Sequence, residues 1–182
     1  KMRHLLRRPA YLVMVAAIGL AGASEISLGQ WISALAERGL GFAKIYGDLF
    51  GIGLFAVSLA GGRIVYGLWG GRLNLPRLLT GSAAATIVVY LAAALVPFNG
   101  LALAACALGG FTVSLLWPGI LVLTAARFPN GGASMFAMLA AAGDLGAATL
   151  PWLVGAAADR FADASTGGDG LRLGLLAAVI CP

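Results

Sequence analysis

"YLVMVAAIGLAGASEISLGQWISAL", residues 11–35, is a run of apolar and small residues interrupted by one charge, Glu25. A bilayer hydrocarbon core takes about 20 apolar residues in a helix, so this run is long enough to cross it. A basic leader, "KMRHLLRR" (1–8), precedes it, as in a secretory signal peptide. A signal peptide's apolar region is only about 7–15 residues. This one is longer, and similar runs recur along the chain, so it reads as a membrane span.

The composition agrees. Hydrophobic residues make up 60% of the 182 and charged residues 10%, against ~25% charged in a soluble domain. So few charges could not clothe a water-facing surface of this size. Spans are expected near 10–36, 46–69, 78–97, 101–127 and 133–158. They are separated by short turn-rich breaks: "ERGLGFAK", "GGRLNLPR", "PFNG", "RFPNGG" and "DRFADASTGGDG". A sixth run, 171–182, is too short to cross and is expected to be an incomplete span. The predicted fold class is an all-α membrane protein, a polytopic helical bundle. A cytoplasmic basic leader (1–9) is followed by one six-helix unit (10–182).

Lys and Arg set the expected orientation, because cytoplasmic loops of membrane proteins are enriched in them. Lys1, Arg3, Arg7, Arg8, Arg63, Arg72, Arg77 and Arg127 fall on one side with no acid among them. Arg38, Lys44, Arg160 and Arg172 fall on the other, outweighed by Glu37, Asp48, Asp159, Asp163 and Asp169. A cytoplasmic amino terminus in an inner or plasma membrane follows. The net charge of +5 sits at helix ends, so anionic lipid headgroups are the expected partner rather than nucleic acid. Cys106 and Cys181 lie in apolar runs with no ligand neighbours, and His4 is the single histidine. No metal site, cofactor or Ser-His-Asp triad is expected, and no enzymatic activity.

Two carboxylates stand at depth, Glu25 and Asp144. An ionised group at the bilayer centre costs at least ~2.5–3.5 kcal/mol, so such residues usually face a bundle interior or a watery cavity. Gly22 and Gly29 flank Glu25 at helical spacing, and Ala140, Ala141, Ala147, Ala148 and Pro151 flank Asp144. Each acid is either a structural hydrogen-bonding group or a site of proton or ion coupling. The sequence places no arginine at their depth, which favours protonation or a cationic ligand over a static ion pair. Both acids are expected to face one central cavity.

At about 100° per residue, Ser24, Ser27 and Trp31 share an arc with Gln30 at its edge, and Glu25 lies about a third of a turn away. Hydroxyls beside an indole suit a sugar-like ligand, although serines in membrane helices also bond their own backbone. In "SLLWPGI" (114–120), Pro118 frees the Ser114 carbonyl and kinks the helix beside Trp117; Pro151 likewise frees the Ala147 carbonyl. "GIGLFA" (51–56) has the spacing of a dinucleotide fingerprint but follows no strand, and is set aside. In "GGRIVYGLWGGRLNLPR" (61–77), Gly62, Gly67 and Gly71 with Arg63 and Arg72 predict close helix approach beside basic groups at the cytoplasmic surface.

These features together resemble the carboxy-terminal half of a major facilitator superfamily transporter, helices seven to eleven and the start of twelve, across essentially the whole chain. "GGRIVYGLWGGRL" resembles the loop signature between helices eight and nine, with Gly62, Arg63, Gly67 and Arg72 at matching places and Gly71 where an aspartate is usual. "LPWLVGAAADRF" resembles the end of helix eleven; "LLWPGI" and "GASEISLGQW" are most similar to sugar-transporter-like members of the fucose-permease type.

The resemblance implies a secondary active transporter, a permease or symporter, moving a small solute by alternating access. An ion or proton gradient would drive it, and no P-loop is present. Glu25 and Asp144 would couple the ion, Ser24, Ser27, Gln30, Trp31 and Trp117 would bind substrate, and the Gly62–Arg72 motif would gate. Pro118 and Pro151 would be kinks. Six helices are half of such a fold, so the partner is the missing amino-terminal half or a second copy, and the chain is a fragment, a half-transporter or a truncated product. The alternative is a non-transporting membrane scaffold or assembly partner.

Overall fold

The computed structural model describes residues 5–161 and 167–182. Lys1, Arg3, His4 and Asp163 lie outside the described residues. Among these residues there are six helices and no strand: α1 Pro9–Gly39, α2 Lys44–Arg72, α3 Leu75–Leu95, α4 Asn99–Arg127, α5 Gly132–Phe161 and α6 Gly167–Ala178. The first five are long and apolar enough to cross a membrane, and their ends fall within three residues of the expected spans. The sixth begins at Gly167, a turn earlier than expected. Side chains such as Val57, Leu68, Val88, Leu108 and Leu145 point outward. That much exposed apolar surface is unfavourable in water and suits lipid.

Local chemistry explains the helix ends. Pro9 and Pro76 occupy first turns, where the missing N–H costs nothing. Asn74 caps α3, its side-chain oxygen accepting from the Arg77 amide at 3.2 Å. The α1–α2 turn passes through Gly41 at φ +72°, and α5 starts at Gly132 at φ +67°, both in the left-handed region glycine tolerates. α1 ends in a widened π turn, Leu35–Gly39, and α2 opens with another, Gly47–Gly53. Pro118 does not bend a continuous helix. α4 is interrupted at Ser114–Leu115, leaving Asn99–Val113 and Leu116–Arg127 as separate segments, because a proline clashes with the carbonyl four residues before it.

α1 is the central helix, with Tyr11, Ile18, Leu28, Ile32 and Leu35 fully buried. It runs parallel to α5: Tyr11 donates to the Met135 carbonyl at 3.2 Å, Gly22 meets Gly143, and Trp31 Nε1 donates to the Pro151 carbonyl at 3.0 Å. A Cβ on Gly146 would collide with the Gly19 carbonyl, and one on Gly22 with that of Gly143. This small-residue seam lets the two backbones touch. α2 meets α4 the same way, Gly110 against the Phe55 backbone and Gly62 against Ser114. α3 closes the other side of α1 through Tyr90, whose hydroxyl donates to the Ser24 carbonyl at 2.9 Å.

Candidate functional site

Where α1, α2 and the break in α4 meet, Arg63 Nη2 lies 2.9 Å from Glu25 Oε1, an ion pair near the middle of α1. This corrects the expectation that no arginine reaches the depth of Glu25, and that Arg63 belongs to the cytoplasmic surface. Nine residues separate Arg63 from Arg72 at the end of α2, which is about 13 Å of helix rise. The long side chain covers the rest. Gly62 is what admits it: a Cβ there would strike the Ser114 side chain, so only glycine lets α2 approach α4 at this level.

Arg63 Nε also points at the Ser114 carbonyl, at 3.5 Å. That is the acceptor freed by Pro118, here engaged by a cation in a long, weak hydrogen bond. Ser114 Oγ turns back to the Phe111 carbonyl at 2.7 Å. The guanidinium therefore spans a carboxylate on α1 and an unwound backbone on α4. Glu25 is 15% exposed and Arg63 47%, so the acid is nearly enclosed while half of the cation stays accessible. Glu25 Oε2 is buried with no hydrogen-bond partner among the described residues. The arrangement is neutral as a pair. It leaves one enclosed carboxylate oxygen unpartnered, where a proton could be held, and an accessible guanidinium edge for a ligand acceptor.

The arc on α1 divides. Ser24 and Ser27 are fully buried. Ser24 Oγ donates to the Leu20 carbonyl at 2.9 Å, whereas Ser27 Oγ is unpartnered among the described residues. Neither serine lines a cavity near Trp31, which corrects their grouping with it as one ligand face. Gln30 and Trp31 do line a cavity of about 530 Å3, with Ala148, Pro151, Trp152 and Asp159 of α5. Its indole N–H bond to α5 fixes the Trp31 ring. Trp117 is placed elsewhere, wedged into the α1–α5 crossing, where a Cβ on Gly22 would come within 2.8 Å of Cζ3.

Asp144 is exposed and makes no hydrogen bond or ion pair among the described residues. It lines neither the Trp31 cavity nor the Glu25–Arg63 junction, so the expectation of one central cavity shared by both acids does not hold within this chain. Gly67 and Gly71 have open space where a Cβ would stand; only Gly62 provides the close approach expected of all three. Arg72 is exposed at the end of α2. Pro151 stays within a continuous α5 and contributes the carbonyl that Trp31 uses.

Trp152 and Asp159 escaped the sequence analysis as cavity residues. Their spacing, i and i+7, puts both on one face of α5, but an acid beside a charged, turn-rich break reads as a loop residue. Among the described residues no group of three or more His, Cys, Asp or Glu could hold a metal ion; Cys106 and Cys181 are free and buried. No protein-family model, curated protein or solved structure matches the chain.

Proposed function

We propose that this chain is half of a major-facilitator-type secondary transporter, in which the Glu25–Arg63 pair is the centre of ion or proton coupling. The observation that carries the proposal is the ion pair itself, set in mid-span against a proline-broken helix. An intramembrane charge pair beside unwound backbone is an expensive arrangement, and irregular backbone at depth is tolerated where it lines a cavity. Protonation of Glu25 would release Arg63 from its partner, so one proton changes a contact that ties α1 to α2. A helix-to-helix contact that depends on charge state is what alternating access needs.

The substrate class follows from the Trp31 cavity. A ring fixed by its own N–H bond, a second tryptophan, an amide and a carboxylate favour a neutral, polyhydroxylated solute that stacks one face and hydrogen-bonds the other. The cytoplasmic amino terminus, the inner or plasma membrane and a second six-helix half belong to the same proposal and rest on the charge pattern and the resemblance.

A specific observation also favours the scaffold reading. Glu25 finds its counterion within the chain, as a purely structural pair would. Gradient-driven uptake by the full transporter, screened over sugars and small organic cations, separates the two. Transport predicts that Glu25→Gln and Arg63→Gln abolish coupled uptake at normal expression. Unchanged uptake in both variants would leave the pair structural.

A further inference from the structure

We infer that a second site, at one end of the bundle, holds the phosphate of an anionic lipid. A cavity of about 450 Å3 opens where α1 begins, α4 ends and α5 begins, and Arg8, Arg127 and Asn130 supply its polar wall. Leu5 and Phe128, both nearly buried, form the apolar wall. Among the described residues no carboxylate lines it. Two arginines from segments far apart in the chain thus line one concavity, which a mere scatter of arginines at helix ends would not produce.

The walls are held in place. Phe128 stacks edge-on against Tyr11, with ring centroids 5.7 Å apart at 83°, and the Tyr11 hydroxyl is tied to the Met135 carbonyl at 3.2 Å. Planar guanidinium forks match phosphate oxygens in a way that a single ammonium does not. A free phosphate would satisfy the arginines but would gain nothing from Leu5 and Phe128. A lipid phosphodiester uses both walls, with its headgroup on the arginines and its glycerol and first methylenes on the apolar side. The site also lies at the ends of three spanning helices, the level at which lipid phosphates sit.

Native mass spectrometry of the 182-residue chain in detergent tests this, with phosphatidylglycerol, phosphatidylcholine or inorganic phosphate added. One phosphatidylglycerol should be retained in preference to phosphatidylcholine. Arg8→Gln with Arg127→Gln should weaken it about thirtyfold, the expectation for two arginines near an anionic lipid surface. Arg77→Gln, outside the cavity, should weaken it less than Arg8→Gln or Arg127→Gln alone, each about fivefold. Equal losses from Arg77→Gln and either of those single variants would overturn the site. Inorganic phosphate binding as tightly as the lipid would overturn the lipid assignment. If the glutamine pair does not fold, Arg8→Lys with Arg127→Lys decides: loss of the forks should weaken retention, and undiminished retention would overturn the proposal.

Discussion

Glu25 and Asp144 stand at nearly the same height and meet opposite surroundings. Gly22 and Gly143 touch across the parallel α1–α5 seam. Glu25 is three residues beyond one and Asp144 one beyond the other, a difference of about 3 Å along the axis. Yet Glu25 is nearly enclosed and paired with Arg63, while Asp144 is exposed and has no partner among the described residues. Depth therefore does not decide what an intramembrane acid does; the face it occupies decides. Glu25 looks into the junction with α2 and α4, where a cation waits. Asp144 looks away from the bundle, and a bare carboxylate at bilayer depth is costly. Under the proposed function, that face of α5 is where the second half would sit.

The contrast depends on the α1–α5 seam, so the largest effect comes from breaking it. Gly146→Leu drives a side chain into the Gly19 backbone, which cannot move aside as a side chain could. We expect a loss of about 3 kcal/mol or more, read as failure to recover monodisperse helical protein in detergent. Alanine at the two acids probes the contrast itself. Glu25→Ala leaves Arg63 unpaired and should cost about 1–3 kcal/mol in detergent unfolding, discounted from a fully buried pair because the cation is half exposed. Asp144→Ala should cost nothing, because it removes an exposed carboxylate without partners among the described residues, at a depth where a bare charge is itself unfavourable. Equal costs would erase the distinction. Between the two acids falls Trp31→Phe, which keeps most of the ring and removes the hydrogen bond to Pro151. The same unfolding assay should show a loss of about 1 kcal/mol.

Much of this was legible in the sequence, because span length, turn chemistry and charge asymmetry are one-dimensional properties. The five spans and the carbonyl freed by Pro118 follow from counting residues. What counting does not provide is azimuth between helices. Ser24, Ser27 and Trp31 share an arc on an isolated helix, but Tyr90 of α3 meets the Ser24 carbonyl while Trp31 reaches α5. The partner of Glu25 lay in plain view nine residues inside the end of α2. A basic residue near a loop reads as a surface group, and only the long reach of the arginine side chain brings it to Glu25. Gly62 and Gly67 look alike as letters; only the neighbour across α4 shows that the first is needed for close approach.

The central claim is that Glu25 and Arg63 act as one unit, and a double-mutant cycle in detergent unfolding tests it most directly. Glu25→Gln and Arg63→Gln are measured singly and together. Each single change strands a charge, and the double change removes both, so the double variant should lose about 1–2 kcal/mol less than the sum of the singles. Losses that add to within about 0.3–0.5 kcal/mol would contradict the pair.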